Sequence, residues 1–222
     1  MITLAIDAST YDGDVALIDG ERILAEGHTA MKRADRETLM PLVGDVLAQA
    51  KLTAAAIDRL VCGAGPGSFT SLRIAGSIAK GLAFGLGRPL FAVPSLALVA
   101  GGAALVPGRY VAVLDALRGE LYVALYDVDA RGDVIELEPA RLIQAADLDR
   151  VASENEARVV TPLPVDGAIR ARPAARSVVH LAHWIERHGG PVDVASWEPS
   201  YGRLAEAQVR WESAHGKPLQ AR

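Results

Sequence analysis

The chain has 222 residues, of which half are hydrophobic and 23% are charged, and its formal net charge is −4. This length is enough to bury a substantial core, whereas the acidic balance argues against a broad basic surface for binding nucleic acid. The single cysteine, Cys62, cannot form an internal disulfide, and no apolar run approaches the roughly 20 residues of a membrane span. We therefore expect a cytoplasmic globular protein without a membrane segment.

The first half predicts three antiparallel strands, followed by alternating helices and strands. Apolar and β-branched runs are typical of strands, and they recur over residues 2–28 around the tight turn Asp19–Gly20. After Asp35, a candidate N-cap, apolar residues at helical spacing predict a helix that Pro41 either kinks or begins. The later elements expected here are a strand at 58–65, a helix at 68–86, a strand at 89–93 and a helix at 94–105.

The second half begins again with three predicted strands, at 110–116, 119–128 and 134–143, and continues with helical and loop segments to about residue 190. Each half therefore opens with a strand that contains an aspartate, Asp7 in "LAIDAST" and Asp115 in "AVLDALR". A repeated strand, aspartate and turn is what a duplicated nucleotide-cleft fold shows. We expect two α/β lobes, formed by residues 1–105 and 106–222.

The segment "GAGPGSFTSLRIAGSIAKGLA" (63–83) joins a glycine-rich loop to a helix, an arrangement that binds phosphate in many proteins. It lacks the lysine and hydroxyl of a P-loop, and neither Asp7 nor Asp115 precedes the glycine turn that is usual in actin-like kinases. Helix capping by Ser68 or Thr70 accounts for the hydroxyls of the loop. The sequence therefore weakens the prediction of a nucleotide site without removing it.

Small residues line one side of the predicted helix at 68–86. Ala75, Ala79 and Ala83 lie four residues apart, with Gly76 beside the first of them. Such a stripe allows another helix to approach closely. Two interpretations stay open: the helix is buried on two sides inside its own domain, or it carries a surface for a partner protein.

The segment 65–83 closely resembles the G-P-G-S-F-T-G-L-R signature of the TsaB (YeaZ) family. "LAIDAST", "ETLMPLV", "VPSLALVA", "LDALRGELYVALYD" and "EPSYGR" agree with that family in the same order along nearly the whole chain. The resemblance implies an actin-like/Hsp70-like (ASKHA) fold, with two related lobes of mixed sheets flanked by helices. It also implies a non-catalytic subunit, without a cofactor of its own, that helps to make threonylcarbamoyladenosine in tRNA. The implied partners are the catalytic paralogue TsaD and the small ATPase TsaE.

Members of this family pair with TsaD, or with a second copy of themselves, through two helices of the N-terminal lobe. In isolation the resemblance therefore implies a homodimer, and contact with tRNA is expected only through the complex. Together with the small-residue stripe, it predicts a partner interface at Glu37, Leu39, Met40, Val43, Phe69, Leu72, Arg73, Ala75, Gly76, Ser77, Ala79, Lys80 and Ala83.

Some positions depart from the family pattern. Ser71 stands in place of a glycine, Asp35 in place of a histidine that many relatives have, and Leu117 in place of the arginine of a D-A-R motif. We expect these departures to leave the fold intact and to affect only the details of ligand contact.

A second hypothesis follows from the fold class: an ATP-dependent phosphotransferase or ATPase that holds Mg²⁺ between Asp7 and Asp115. Such an enzyme would bind nucleotide without a partner and would lose activity in Asp7→Asn. His180 and His183 form an H-x-x-H pair, but no third ligand accompanies them in the sequence pattern. We therefore expect both histidines to be structural.

Overall fold

Two mixed β-sheets form the frame of the computed structural model, which describes residues 1–31, 36–103, 106–187 and 190–202. The strands of the first sheet are β1 (Ile2–Asp7), β2 (Asp12–Asp19), β3 (Arg22–Ala30), β4 (Arg59–Gly63) and β5 (Leu90–Val93). Their order is β3-β2-β1-β4-β5. The β1–β2 and β2–β3 pairs are antiparallel, as predicted, whereas β1–β4 and β4–β5 are parallel.

The second sheet repeats this arrangement. Its strands are β6 (Gly108–Asp115), β7 (Glu120–Val128), β8 (Val134–Gln144), β9 (Arg158–Thr161) and β10 (Ile169–Arg170). The order is β8-β7-β6-β9-β10, again with three antiparallel strands extended by two parallel ones. The repeated topology confirms the predicted duplicated, actin-like α/β fold.

The α-helices of the described residues are α1 (Leu39–Gln49), α2 (Phe69–Leu86), α3 (Ser95–Gly101), α4 (Leu148–Glu154) and α5 (Ala182–Arg187). Alanine and leucine favour the 18-residue helix α2. It ends where Gly87 adopts a left-handed φ of +62°, and the N–H of Arg88 then closes the end by donating to the Ala83 carbonyl at 2.9 Å. Within the described ranges, no helix has both the length and the apolarity to cross a bilayer.

Helices cover the outer faces of both sheets and also fill the space between them. α1 and α2 pack on the outer face of the first sheet, over side chains such as Leu4 and Leu17. Every residue of α3 is buried between the sheets, in a cluster that includes Val61 of the first sheet and Tyr110 of the second. α4 packs on the outer face of the second sheet. The two sheets therefore share one apolar core.

The structure corrects the sequence prediction at several elements. α3 ends at Gly101 rather than near residue 105, because two successive glycines weaken the helix there. β9 and β10 lie where only helix and loop were predicted, since strands of four and two residues are too short to show an alternating pattern. Asp35 lies outside the described residues, and α1 begins at Leu39 with Pro41 in its first turn, where proline is tolerated.

Residues 192–202, which we call the C-terminal strap, return to the first sheet and its helices. The N–H of Val192 donates to the carbonyl of Leu90 at 2.8 Å, and Trp197 packs on the core cluster of the first sheet beside α2. The strap thus contacts the first lobe, although the predicted boundary after residue 105 assigns it to the second. That boundary stays a prediction.

Candidate functional site

The glycine-rich loop between β4 and α2 uses its own N–H groups inside the protein. The N–H of Ala64 donates to the Val93 carbonyl at 2.7 Å, and that of Gly65 donates to the Ser95 hydroxyl at 3.0 Å. The N–H of Ser68 donates to the Ser9 carbonyl at 2.7 Å. A phosphate cradle requires such groups to be free for a ligand. The loop instead fastens the start of α2 to the end of β1 and to the start of α3.

Asp7 is likewise satisfied from within the chain. It is completely buried, and its Oδ1 accepts hydrogen bonds from the N–H and hydroxyl of Ser9 at 2.9 and 2.8 Å. The hydroxyl of Ser95 donates to Oδ2 at 2.6 Å. Burial raises the pKa of Asp7, although the hydrogen bonds from Ser95 and Ser9 oppose this rise. Both oxygens of the carboxylate therefore have internal partners.

The second aspartate of the Mg²⁺ hypothesis has a different environment. Asp115 is exposed at the end of β6, where its Oδ1 accepts the N–H of Leu117 at 2.7 Å within a turn. Among the residues that the structure describes, no group of three or more His, Cys, Asp or Glu side chains is placed to hold a metal ion. Asp7 is buried with both oxygens bonded inside the chain and Asp115 is exposed, so their environments give the phosphotransferase hypothesis no support.

Asp14, the partner of Asp7 in the β1–β2 register, connects the first sheet to the second half of the chain. Its Oδ1 accepts the N–H of Ala175 at 2.7 Å, and Arg172 Nη1 lies 2.6 Å from its Oδ2. Burial raises the pKa of Asp14 to about 6, because desolvation of the carboxylate outweighs the hydrogen bond from Ala175 and the charge of Arg172. These contacts give Asp14 a structural role between the lobes.

Many residues that the sequence analysis assigned to the partner interface are buried in the chain itself. Ala75 and Ala79 are completely buried in the core between α2 and the first sheet. A covered side chain cannot contact a partner while the fold is intact, so the small-residue stripe serves close packing inside the lobe. Seven of the assigned positions are buried in the free chain, which gives their contact with a partner no support, and that contact stays a prediction: Leu39, Val43, Leu72, Ala75, Gly76, Ala79 and Ala83.

Two further predicted interface residues make structural contacts. The carboxylate of Glu37 accepts the N–H of Met40 at 3.0 Å and thereby caps the start of α1. Lys80 is half-buried, and its Nζ donates to the carbonyl of Trp197 at 2.8 Å in the C-terminal strap. Lys80 was expected to fix the register of a partner, but its ammonium group is bound within the chain.

The remaining predicted positions reach the surface. Met40 is 43% exposed and Phe69 is 37% exposed, and Arg73 and Ser77 are exposed on α2. The Arg73 guanidinium lies 5.4 Å from the centre of the Phe69 ring, within the range of a cation–π contact. These residues stay candidates for contact with a partner.

The outward faces of α1 and α2, which we call the docking face, carry small and apolar residues among polar ones such as Asp45 and Arg73. Gly44 and Ala48 are exposed on α1, and Gly81 and Gly85 are exposed on α2. Between the two α2 glycines, Phe84 is 85% exposed. Contiguous exposed apolar surface marks interaction sites in soluble proteins, so the docking face is a candidate site for a partner protein.

Sequence reasoning missed Phe84, although a signal was present. If Ala75, Ala79 and Ala83 define the face of α2 that packs inside the lobe, helical spacing places Gly81 and Phe84 on the outward face. The alanine stripe predicted a partner surface elsewhere on the helix, because small residues suit both internal and intermolecular helix packing.

The structure describes two of the three residues that depart from the family pattern. Ser71 is buried in the first turn of α2, with its hydroxyl 3.0 Å from that of Ser68, so a polar partner accommodates the added side chain. Leu117 is exposed in the turn after β6, where it adopts a left-handed φ of +62°. Asp35 lies outside the described residues.

Other residues with reactive side chains have structural environments. Burial raises the pKa of the Cys62 thiol, which keeps it protonated and unreactive. Burial lowers the pKa of His180, which is half-buried. Arg176 pairs with Glu26 at 3.1 Å, and Arg172 pairs with Asp14, so these cations are neutralised within the chain.

Comparisons with known proteins agree with the topology. A family model described as "TsaD: tRNA N6-adenosine threonylcarbamoyltransferase" matches residues 24–166. The tRNA threonylcarbamoyladenosine biosynthesis protein TsaB of Bacillus subtilis (strain 168) is 28% identical over 95% of this chain and 98% of its own length. The protein of the same name from Escherichia coli (strain K12) is 37% identical over 60% of this chain and 58% of its own.

A solved structure extends the similarity to the fold. YeaZ from Pseudomonas aeruginosa is 30% identical, and the match covers 90% of this chain and 99% of that one with a TM-score of 0.74. The repeated sheet topology, the segment 65–83 and this nearly complete coverage point to the same relatives. The chain belongs to the TsaB (YeaZ) family.

Proposed function

We propose that the chain is a non-catalytic assembly subunit in the biosynthesis of threonylcarbamoyladenosine in tRNA, where it binds and supports a catalytic paralogue of the TsaD type. The observation that carries this proposal is the docking face, on which Phe84 stands 85% exposed. The modification itself is inferred from the names of the relatives, which are tRNA threonylcarbamoyladenosine biosynthesis proteins. The glycine-rich loop and Asp7 favour a role without chemistry, because their polar groups are bound within the chain.

Hydrophobic docking provides the driving force. An exposed aromatic ring such as Phe84 serves as an anchor when a partner offers a pocket for it, and a few such anchors carry most of the binding energy of an interface. Side chains added at Gly44, Gly81 or Gly85 would meet no atom within 4 Å, so the helix backbone is bare at these positions. A partner helix can therefore approach closely, and a well-packed interface of roughly 1,600 Å² gives a stable pair.

The same face suits a second copy of the chain, since a self-complementary patch gives a two-fold dimer. We propose a homodimer in isolation that gives way to a heterodimer with the paralogue in the cytoplasm. A TsaE-like ATPase joins the larger complex. Contact with tRNA comes through the complex, because the net charge of −4 supplies little attraction for phosphate.

Size measurement tests this proposal. Light scattering coupled to size-exclusion chromatography is expected to give a dimer for the chain alone and a one-to-one heterodimer after addition of the TsaD-type paralogue from the same organism. The driving force is the removal of the docking face from water. A chain that remains a monomer and elutes unchanged in the presence of the paralogue would contradict the proposal.

A further inference from the structure

The C-terminal strap lies across the glycine-rich loop. The N–H of Ser200 donates to the carbonyl of Ala64 at 2.7 Å. Gly65 adopts a φ of +88°, and a Cβ built there would lie 2.2 Å from the Ser200 carbonyl oxygen, so only glycine allows the strap to come this close. The backbone of the strap therefore covers one side of the glycine-rich loop.

Side chains fasten the strap to α2. Lys80 donates to the Trp197 carbonyl at 2.8 Å, and its ammonium lies 3.7 Å from the carboxylate of Glu198. The Tyr201 hydroxyl donates to Glu198 at 3.2 Å, and its ring centre lies 4.5 Å from that of Phe69. Lys80 is the central anchor, because it binds the strap backbone directly and pairs with Glu198.

The far end of the strap reaches the second sheet. The hydroxyl of Tyr122 on β7 donates to the carbonyl of Tyr201 at 3.3 Å. A Cβ at Gly202 would lie 2.6 Å from the Tyr122 ring and 2.7 Å from Pro66 of the glycine-rich loop. The strap therefore joins α2, the loop and the second sheet at one place.

The strap is held less firmly than the helix beneath it. Glu198 and Ser200 are exposed, and Val192, Val194 and Trp197 are only half-buried. Pro199 is buried against Gly76 of α2, whereas Ala75, Ala79 and Ala83 of α2 are buried in the core itself. Segments with few buried apolar contacts open at a lower free-energy cost than the whole protein. The polar anchors of the strap are consequently expected to decide whether it stays closed.

We propose that the C-terminal strap is a latch: it opens as a unit while both sheets stay folded, and in its closed state it occupies the glycine-rich loop and fixes the Phe69 end of α2. Opening frees the Ala64 carbonyl and the Lys80 ammonium and uncovers one side of the Phe69 ring. The latch thereby links the loop to one end of the docking face, and this link rests on the proposed function.

Hydrogen exchange measured by NMR on the full chain tests the latch. Lys80→Met keeps the aliphatic stem but removes the donor to Trp197 and the pairing with Glu198. Exchange of the Ser200 amide is expected to accelerate by about tenfold or more, the size that loss of one hydrogen bond to a charged group predicts. Lys80→Arg, which retains the charge and a donor, is the matched control and is expected to exchange close to the wild-type rate.

The pattern of exchange decides the outcome. Amides of β1 and β6 are expected to keep their wild-type rates in Lys80→Met, since the latch opens without unfolding the sheets. Unchanged exchange at Ser200, or equal acceleration in both sheets, would overturn the proposal. A second pair of variants, Tyr201→Ala and Tyr201→Phe, separates the ring contact with Phe69 from the hydroxyl contact with Glu198. Only Tyr201→Ala is expected to accelerate amide exchange strongly in the glycine-rich loop.

Binding to the TsaD-type paralogue is measured separately in the same variants. Affinity for the TsaD-type paralogue is expected to fall in Lys80→Met and to stay near the wild-type value in Lys80→Arg. Faster exchange at Ser200 with unchanged affinity would overturn the link between latch and docking face. Because exchange is measured on the chain without the paralogue, a failure of the assembly role is distinguishable from a failure of the latch.

Discussion

Phe84→Asp is expected to abolish pairing with a TsaD-type paralogue, with the affinity falling by at least about 30-fold, as for the loss of an interface hot spot. The aromatic anchor is lost, and a carboxylate enters a surface that must be dehydrated on binding. The ring is 85% exposed in the free chain, so its replacement leaves the core intact. Isothermal titration calorimetry with the paralogue measures the effect, and thermal unfolding of the free variant should match the wild type.

Leu137→Asp is the matched control for this prediction. Leu137 is also an exposed apolar residue, 45% accessible, but it lies on β8, the edge strand of the second sheet. Its replacement makes the same chemical change away from the docking face, and affinity is expected to stay near the wild-type value. Equal loss of affinity in both variants, or no loss in Phe84→Asp, would remove the docking face from its proposed role.

Gly67→Ala is expected to destabilise the fold by more than about 4 kcal/mol, an exceptional loss for a single substitution. A Cβ built at Gly67 would lie 2.0 Å from the carbonyl oxygen of Ser9. The conflict cannot be relieved by rotation of a side chain, because the oxygen belongs to the backbone and already accepts the N–H of Ser68 at 2.7 Å. Urea unfolding monitored by circular dichroism measures the loss, or shows that the variant no longer folds.

Gly81→Ala provides the contrast on the same helix. A Cβ there meets nothing within 4 Å, and alanine favours a helix over glycine by roughly 1 kcal/mol, so this variant is expected to be more stable than the wild type. If Gly67→Ala were as stable as Gly81→Ala, the loop could not be clamped on the end of β1. The hydrogen bonds that the loop N–H groups make inside the chain would then not explain why the loop is rich in glycine.

Much of the fold was predictable because its strongest signals are local. Continuous apolar strands such as 2–7 and 110–116, each with an aspartate at or near its end, revealed the duplication that the two sheets confirm. Boundaries that depend on weak local preference were not predictable in the same way. The end of α3 at two glycines is such a boundary, and the short strands β9 and β10 are defined by their pairing in the second sheet, which the local sequence does not record.

The candidate site was less predictable because its decisive contacts join residues distant in sequence. Lys80 binds Trp197, 117 residues away, and Ser95 binds Asp7, 88 residues away. Each contact changes the interpretation of a residue that looked available for a partner or a ligand. The alanine stripe was ambiguous for another reason: small residues at a spacing of four suit any close helix contact, and only burial showed that this stripe faces inward.

Hydrogen exchange tests the central claim most directly, namely whether the chain works through its docking face or through nucleotide chemistry. Exchange is measured in the presence of the TsaD-type paralogue and, separately, in the presence of ATP and Mg²⁺. The paralogue is expected to slow exchange across residues 40–49 and 77–86, because pairing removes the outward faces of α1 and α2 from water. ATP and Mg²⁺ alone are expected to leave every segment unchanged. Protection around Asp7 and the glycine-rich loop by ATP and Mg²⁺, with no protection of α1 or α2 by the paralogue, would contradict the assembly role.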